Sequence, residues 1–296
     1  MSKQWHVLPE APPTFRETFP TLPPVVAAIM YNRGIHTQEE VDEFLYPEYQ
    51  KHIHDPFLFA DMQKAVDRIF LAIKEGQKIT IHGDYDADGV SASTVLTDTL
   101  TALGAANVGV YLPHRETDGY GLNINTINYL AEQGTSLIIT CDCGISNPKE
   151  VAHANTLGVD TIITDHHTIP DQLPEALALI HPKLPNETYP CKTLSGGAVA
   201  FKLAQGLLAH HKKDHETLTN GETHAGFEKW LLDMVAIANV ADMVPLLGET
   251  RTLTKFGLLV LNKTRRVGLK KLFIETGIAE SDGTLKHDVT EETIGF

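Results

Sequence analysis

Three short apolar runs in this chain end the same way. "KITIHGDYDADG" (78–89), "SLIITCDCG" (136–144) and "DTIITDHH" (160–167) each pass from apolar and β-branched residues into Asp or His. Such runs read as strands. Between and around them, "GVSASTVLTDTLTALGA", "NINTINYLAEQG" and "NPKEVAHANTLG" read as helices, and "NVGVYLPH" and "EALALIHP" as two further short strands. Short strands alternating with helices predict an α/β domain with a mostly parallel sheet flanked by helices. Ligands of an open parallel sheet bind at the C-terminal strand edge. Three strand ends therefore deliver carboxylates and imidazoles to one edge.

The first of these ends carries Asp84, Asp86 and Asp88 at every second position. Alternate residues of an extended segment point to one side, so three carboxylates there repel one another. Either something positive sits among them or the segment turns into solvent.

Outside this region the chain divides on composition. Residues 1–60 form a proline-rich and helical prelude: "LPEAPPTFRETFPTLPPVV" reads as extended, and "TQEEVDEFLYP" has the Thr37/Glu40 spacing of a capping box before it stops at Pro47. Residues 61–245 hold the α/β pattern, beginning with the helix "DMQKAVDRIFLAIKEGQ". After the helix "SGGAVAFKLAQGLLAHH" comes a polar surface stretch, "KKDHETLTNGETHAG", and then one strongly apolar helix, "FEKWLLDMVAIANVADMVPLLG". Residues 246–296 read as a helical connector, starting with "ETRTLTKFGLLVLNK" and running out through "ESDGTLKHDVTEETIGF" without a closing element.

Composition narrows the class. A 296-residue chain with 42% hydrophobic residues has material for a real core. No run reaches the roughly 18 apolar residues of a membrane span, and "MSKQWHVLPE" lacks the layout of a signal peptide. The expected compartment is the cytoplasm, and three cysteines suggest reduced thiols rather than a disulfide framework. A formal charge of −14 argues against a generic basic nucleic-acid binder, although metal-ligating carboxylates inflate an acidic count.

Carboxylates with imidazoles suit Mn²⁺ or Mg²⁺. Asp142 ends one strand, Asp165, His166 and His167 another, and Asp242 sits in "VADMVPL" at the end of the apolar helix. His82, Asp86, Asp88, Asp142, His166 and Asp242 supply six side chains, enough for two ions with one bridging carboxylate. Two ions about 4 Å apart are the usual apparatus of phosphoester hydrolysis. Each signal has a plainer reading taken alone. An acidic triplet is often a solvated turn, "DHH" can be a cap followed by loop histidines, and "CDC" is two small buried thiols around Asp142. "SGG" (Ser195, Gly196, Gly197) is a helix N-cap that also offers amides to a phosphate. "PHR" is a loop whose Arg115 is placed to grip one. The joint occurrence, in order, is what is specific.

At these residues the chain resembles the DHH phosphoesterase superfamily, and within it the RecJ branch of single-stranded-DNA-specific exonucleases. "HGDYDADG", "YLPHR…DGYGLN", "ITCDCGIS", "ITDHH", "LSGGAVAFKLAQ" and "IANVADMVPLLGETR" carry the resemblance over roughly residues 60–265. It implies 5′-to-3′ hydrolysis of single-stranded DNA to 5′-mononucleotides with two Mn²⁺ or Mg²⁺ ions, in DNA repair and recombination. It implies metal ligands at His82, Asp86, Asp88, Asp142 (bridging), His166 and Asp242. Asp84 is extra to the superfamily spacing, as a ligand or a support. His167 is placed for phosphate contact or leaving-group protonation, and Asp165 for orienting His166. His114, Arg115 and Tyr120 are candidate substrate contacts, with Tyr120 stacking on a base. A helicase and a single-strand-binding protein are expected partners, and a membrane is not. Family members continue into further domains, so this chain is expected to be a truncated form. Two other readings stay open: a phosphodiesterase of short oligonucleotides or cyclic dinucleotides, and a non-catalytic scaffold.

Overall fold

The computed structural model describes residues 4–295. Two compact units divide between His52 and Ile53, so the segments 61–245 and 246–296 fall within the same unit.

The first unit is helical: α1 (Pro13–Thr18), α2 (Pro24–Asn32), α3 (Gln38–Leu45) and the single turn α4 (Tyr49–His52). The proline-rich segment expected to be extended instead holds one short helix and the start of a second, each with Pro at its first position. A ring-locked φ and a missing N–H cost nothing there, because the first amides of a helix have no intrahelical partner. The capping box at Thr37 and Glu40 forms in full, each side chain meeting the other's backbone N–H. Phe15 packs on Phe19 and Tyr31 with ring centroids 4.7 and 5.4 Å apart.

The second unit opens with α5 (Met62–Lys74) and then builds the sheet: β1 (Lys78–Gly83), α6 (Ala87–Ala102), β2 (Val108–Tyr111), α7 (Ile124–Glu132), β3 (Thr135–Cys141), α8 (Pro148–Thr156), β4 (Asp160–Thr164) and β5 (Ala178–Ile180). All four pairings are parallel, in the order β2-β1-β3-β4-β5. The α/β expectation holds: this is a parallel sheet flanked by helices. Helices α7 and α8 cover one face, where Ile138 of β3 and Ile163 of β4 join Ile127, Leu130 and Val151 in a buried cluster. The order of strands reverses between β1 and β3. The chain leaves β1 to one side for β2 and returns on the other side as β3. At such a reversal the crevice beyond the strand ends is open to a ligand, and the acidic motif and Asp142 both emerge into it.

The remaining helices are α9 (Gly196–His211), α10 (His224–Trp230), α11 (Leu232–Ala241), α12 (Gly248–Leu261), α13 (Val267–Glu275) and α14 (Glu291–Gly295). α6 packs against α9 and α11, and α11 against α12. These helices are buried on most sides, so their sequences lack an amphipathic stripe. The long apolar helix expected over 227–248 is two helices joined at Leu231, and the second ends at Asp242, three residues before Pro245. The polar stretch after α9 is largely exposed, but Leu218 and His224 are buried within it. The tail does close. Asn262 holds the backbone of Val289 from both sides, and Val289 joins Leu261, Phe273 and Ala279 in a small cluster. One buried valine and a side-chain amide leave no period in sequence. Met1–Lys3 and Phe296, which bound the quoted opening and closing strings, lie outside the described residues. Among the described residues no helix is long and apolar enough to cross a membrane.

Candidate metal centre

Each strand end turns its acid into the crevice by a different local device. After β1 the chain bends at once into α6, so the three alternate aspartates do not share one extended face. Asp86 becomes the N-cap of α6, its side chain accepting from Gly89 N at 2.9 Å. Asp88 lies in the first turn, buried, and Asp84 is buried before it. After β3, Asp142 takes a left-handed backbone, φ 61°, a conformation Asp tolerates better than most residues. After β4, Asp165 turns inward and accepts from the amides of Ile145, His166 and His167 and from His167 Nδ1. Asp165 thus shapes the "DHH" turn. Lys183 Nζ on the His166 carbonyl and His181 Nε2 on the His167 carbonyl hold it from the other side. Asp242 caps the end of α11.

These devices bring three sets of donors together: Asp84, Asp86 and Asp142; Asp88, His166 and Asp242; and Asp142, His166 and His167, each set with its ligand atoms within 4.8 Å of one another. His166 Nε2 lies 3.2 Å from Asp142 Oδ1, 3.6 Å from Asp242 Oδ2 and 3.8 Å from Asp88 Oδ2. Donors about 2.1 Å from one octahedral ion lie roughly 3 Å apart, so this spacing fits ligands converging on a common cation. Asp142 belongs to both an acidic set and an imidazole set, as a bridging ligand must.

The chemistry of the donors agrees. His166 Nε2 and Asp142 Oδ1 are buried and lack a hydrogen-bond partner among the described residues, a costly state unless a ligand meets them. Burial and the neighbouring carboxylates push the Asp142 carboxyl up to about 9. Burial and Asp142 hold Asp88 well above the usual carboxylate range. Burial likewise raises Asp84 and lowers His166. The residues present fit divalent cations with oxygen and imidazole ligands.

His82 stands apart. It is buried at the end of β1, its ring stacked with Tyr111 at 5.5 Å and its Nδ1 3.8 Å from Cys143 Sγ. Burial lowers its pKa to about 4. Among the described residues it belongs to none of the three donor sets, and its Nε2 lacks a hydrogen-bond partner. His167 is half-exposed. Its hydrogen bond to Asp165, at 2.8 Å, raises its pKa to about 9, so the ring is cationic at neutral pH. Tyr120 donates its hydroxyl to the Asp142 carbonyl at 3.1 Å, and the same hydroxyl lies 3.1 Å from His167 Nδ1. Arg115 stands over the Tyr85 ring, 4.9 Å from its centroid. His114 is exposed and its amide bonds Asp118.

The "SGG" turn does not offer its amides to the crevice. Gly196 N and Gly197 N donate to the two oxygens of Asp88, at 2.7 and 2.6 Å, and so orient that carboxylate. Ser195 caps α9 and donates to Asn239, which is anchored in turn on Thr254. A Cβ on Gly196 would sit 2.5 Å from both Cβ and Oδ1 of Asp142. Lys183, His181 and Asn239 were not foreseen from sequence. Only Asn239 left a signal there, as one of two polar residues on the apolar α11, three before Asp242.

Residues 78–238, more than half the chain, match the model of the DHH family, N-terminal domain. The chain belongs to the DHH family. Within that family it is 42% identical over 273 residues to the single-stranded-DNA-specific exonuclease RecJ of Bacillus subtilis (strain 168), covering 92% of this chain and 32% of that relative. A crystal structure of RecJ in complex with Mn²⁺ from Thermus thermophilus superposes with TM-score 0.71 at 28% identity, over 97% of this chain and 38% of that one. A crystal structure of exonuclease RecJ bound to manganese superposes with TM-score 0.67 at 31% identity, over 82% and 57%. This DHH chain thus spans about a third of the length of the curated relative.

Proposed function

We propose that this chain is the catalytic DHH part of a two-metal exonuclease that degrades single-stranded DNA 5′ to 3′ and releases 5′-mononucleotides. The observation that carries the reading is Asp142, a buried carboxylate shared between an acidic donor set and an imidazole set. Asp84, Asp86 and Asp142 would hold one ion, and Asp88, Asp142, His166 and Asp242 the other. His82 supports the strand end beneath them. Bound there, Mn²⁺ or Mg²⁺ would lower the pKa of water and offset charge on the phosphoryl oxygens.

The chain's own groups do the rest. Gly196 and Gly197 fix the Asp88 carboxylate, so the donors are preorganised before substrate arrives. Arg115, braced on Tyr85, grips a phosphate of the strand. The His167 imidazolium, held by Asp165, donates to a phosphoryl oxygen or to the leaving 3′-oxygen as the P–O3′ bond breaks. Tyr120 steadies His167 and the Asp142 backbone. The likeness to single-stranded-DNA-specific exonucleases supports single-stranded DNA as substrate; we infer a cytoplasmic place of work and, as partners, a helicase and a single-strand-binding protein from the sequence alone.

Release of 5′-mononucleotides from 5′-labelled single- and double-stranded DNA tests the reading. With Mn²⁺, single strands are degraded and duplexes are not. EDTA stops release, and Asp142→Asn lowers it to the EDTA level with the fold intact by circular dichroism. Release that survives Asp142→Asn sinks the shared-carboxylate mechanism.

A further inference from the structure

Beside the metal centre, the end of β2 and the start of α7 enclose an open cleft of about 420 Å³, within the ~300–1,000 Å³ of small-molecule pockets. Tyr111 and Tyr129 supply aromatic surface, and Asp118, Asn123, Asn125 and Thr126 supply polar edges. No lysine, arginine or histidine lines it. With a carboxylate and no cation, the cleft repels a phosphate. Its chemistry suits a neutral, flat heteroaromatic ring, with a π face for a tyrosine and N–H and C=O edges for side-chain amides. The Asn125 amide is exposed and has no partner among the described residues. Tyr129 is 52% exposed.

The cleft adjoins the end of β1, the strand that leads into the acidic motif. His82 and Tyr111 are register partners on β1 and β2, and their rings stack with an interplanar angle of 22°. Tyr129 follows at 6.3 Å from Tyr111. The Tyr111 hydroxyl donates to Asp118, in the same loop that carries Arg115 and Tyr120. The whole-chain charge of −14 denies this protein the long-range attraction that usually gathers DNA, so affinity for a strand must come from close contacts.

We propose that this cleft holds a nucleobase of the single strand whose phosphate lies at the metal centre, stacked on the exposed face of Tyr129. The inference rests on the function proposed above and adds a sequence-tolerant base subsite to it. Stacking of one base on an aromatic side chain changes affinity by roughly 5- to 150-fold.

The test is fluorescence anisotropy of a labelled oligothymidylate on this chain, with Ca²⁺ replacing Mn²⁺ so that the strand survives. Strands with a single abasic position, moved along the first several nucleotides, are compared with the intact strand. Tyr129→Ala is expected to weaken the intact strand roughly 5- to 150-fold. One abasic position is expected to weaken wild type equally and to have no further effect on Tyr129→Ala. Tyr129→Phe, which keeps the ring, restores binding and separates stacking from helix disturbance. Additive losses, an unaffected Tyr129→Ala or no binding by wild type overturn the inference. Mononucleotide release measured on the same preparations keeps the two readings apart. Coupling without hydrolysis sinks the exonuclease and leaves the subsite, and hydrolysis without coupling does the reverse.

Discussion

At the scale of single residues, the centre depends on positions where no side chain fits. Gly196 has two jobs: its amide holds Asp88, and its missing Cβ makes room for Asp142. Gly196→Ala places a carbon 2.5 Å from the Asp142 carboxylate, closer than any real contact. The shared ligand must swing away. Misplacement by about 1 Å costs on the order of 10²-fold in rate. The expected result is a loss of that size in mononucleotide release, with weaker Mn²⁺ binding by calorimetry. The α9 helix itself survives, because Ala is a better helix former than Gly. Activity retained in Gly196→Ala would mean that Asp142 has slack the distances do not show.

At the scale of elements, α9 and α12 meet through a buried charge pair. Lys202 Nζ lies 3.1 Å from Glu249 Oε1, and both side chains are fully buried. Tyr189 donates its hydroxyl to the same carboxylate, as does His54 N, while Lys202 also donates to the His54 carbonyl. Such a pair adds little over a well-packed apolar pair, but removing one partner leaves an uncompensated charge. Lys202→Met should therefore destabilise by roughly 3–5 kcal/mol, read as a lower urea midpoint at unchanged slope. Adding Glu249→Gln removes the stranded charge and should recover part of that loss. If the double variant falls further, the pair is not what carries the cost.

At the scale of the whole molecule, the centre makes stability depend on pH and on metal together. Between about pH 6.5 and 9 the folded chain keeps protons on Asp142 and His167 that the unfolded chain has released. The native state then binds more protons than the unfolded state, so stability falls as pH rises. His82 and His166, held neutral by burial, act the other way only below about pH 6.5. Cations take the place of the Asp142 proton. The metal-free melting temperature should fall across pH 6.5 to 9, while the rise on adding Mn²⁺ grows over the same window. At a hundred times the dissociation constant each site is worth about 2.7 kcal/mol. A metal increment that is flat in pH, measured by scanning calorimetry, would show that the carboxylates are already ionised without metal.

What the sequence determined by itself follows from local rules. The strands, the parallel sheet and the acids at their ends were legible because β-branched runs, helix caps and punctuation act within a few residues. Asp142, His166 and Asp242 could be singled out because each ends an element in an ordered series. The tertiary structure decided what needs distance. It assigned the amides of Gly196 and Gly197 to Asp88, over a hundred residues away in the chain. It stacked His82 on Tyr111 and left its Nε2 buried and without a hydrogen-bond partner among the described residues. It drew Asp84 in with Asp86 and Asp142, because the turn into α6 breaks the period of two that the spacing suggested. Strand order, and with it the crevice between β1 and β3, is a property of long-range pairing that no local pattern encodes.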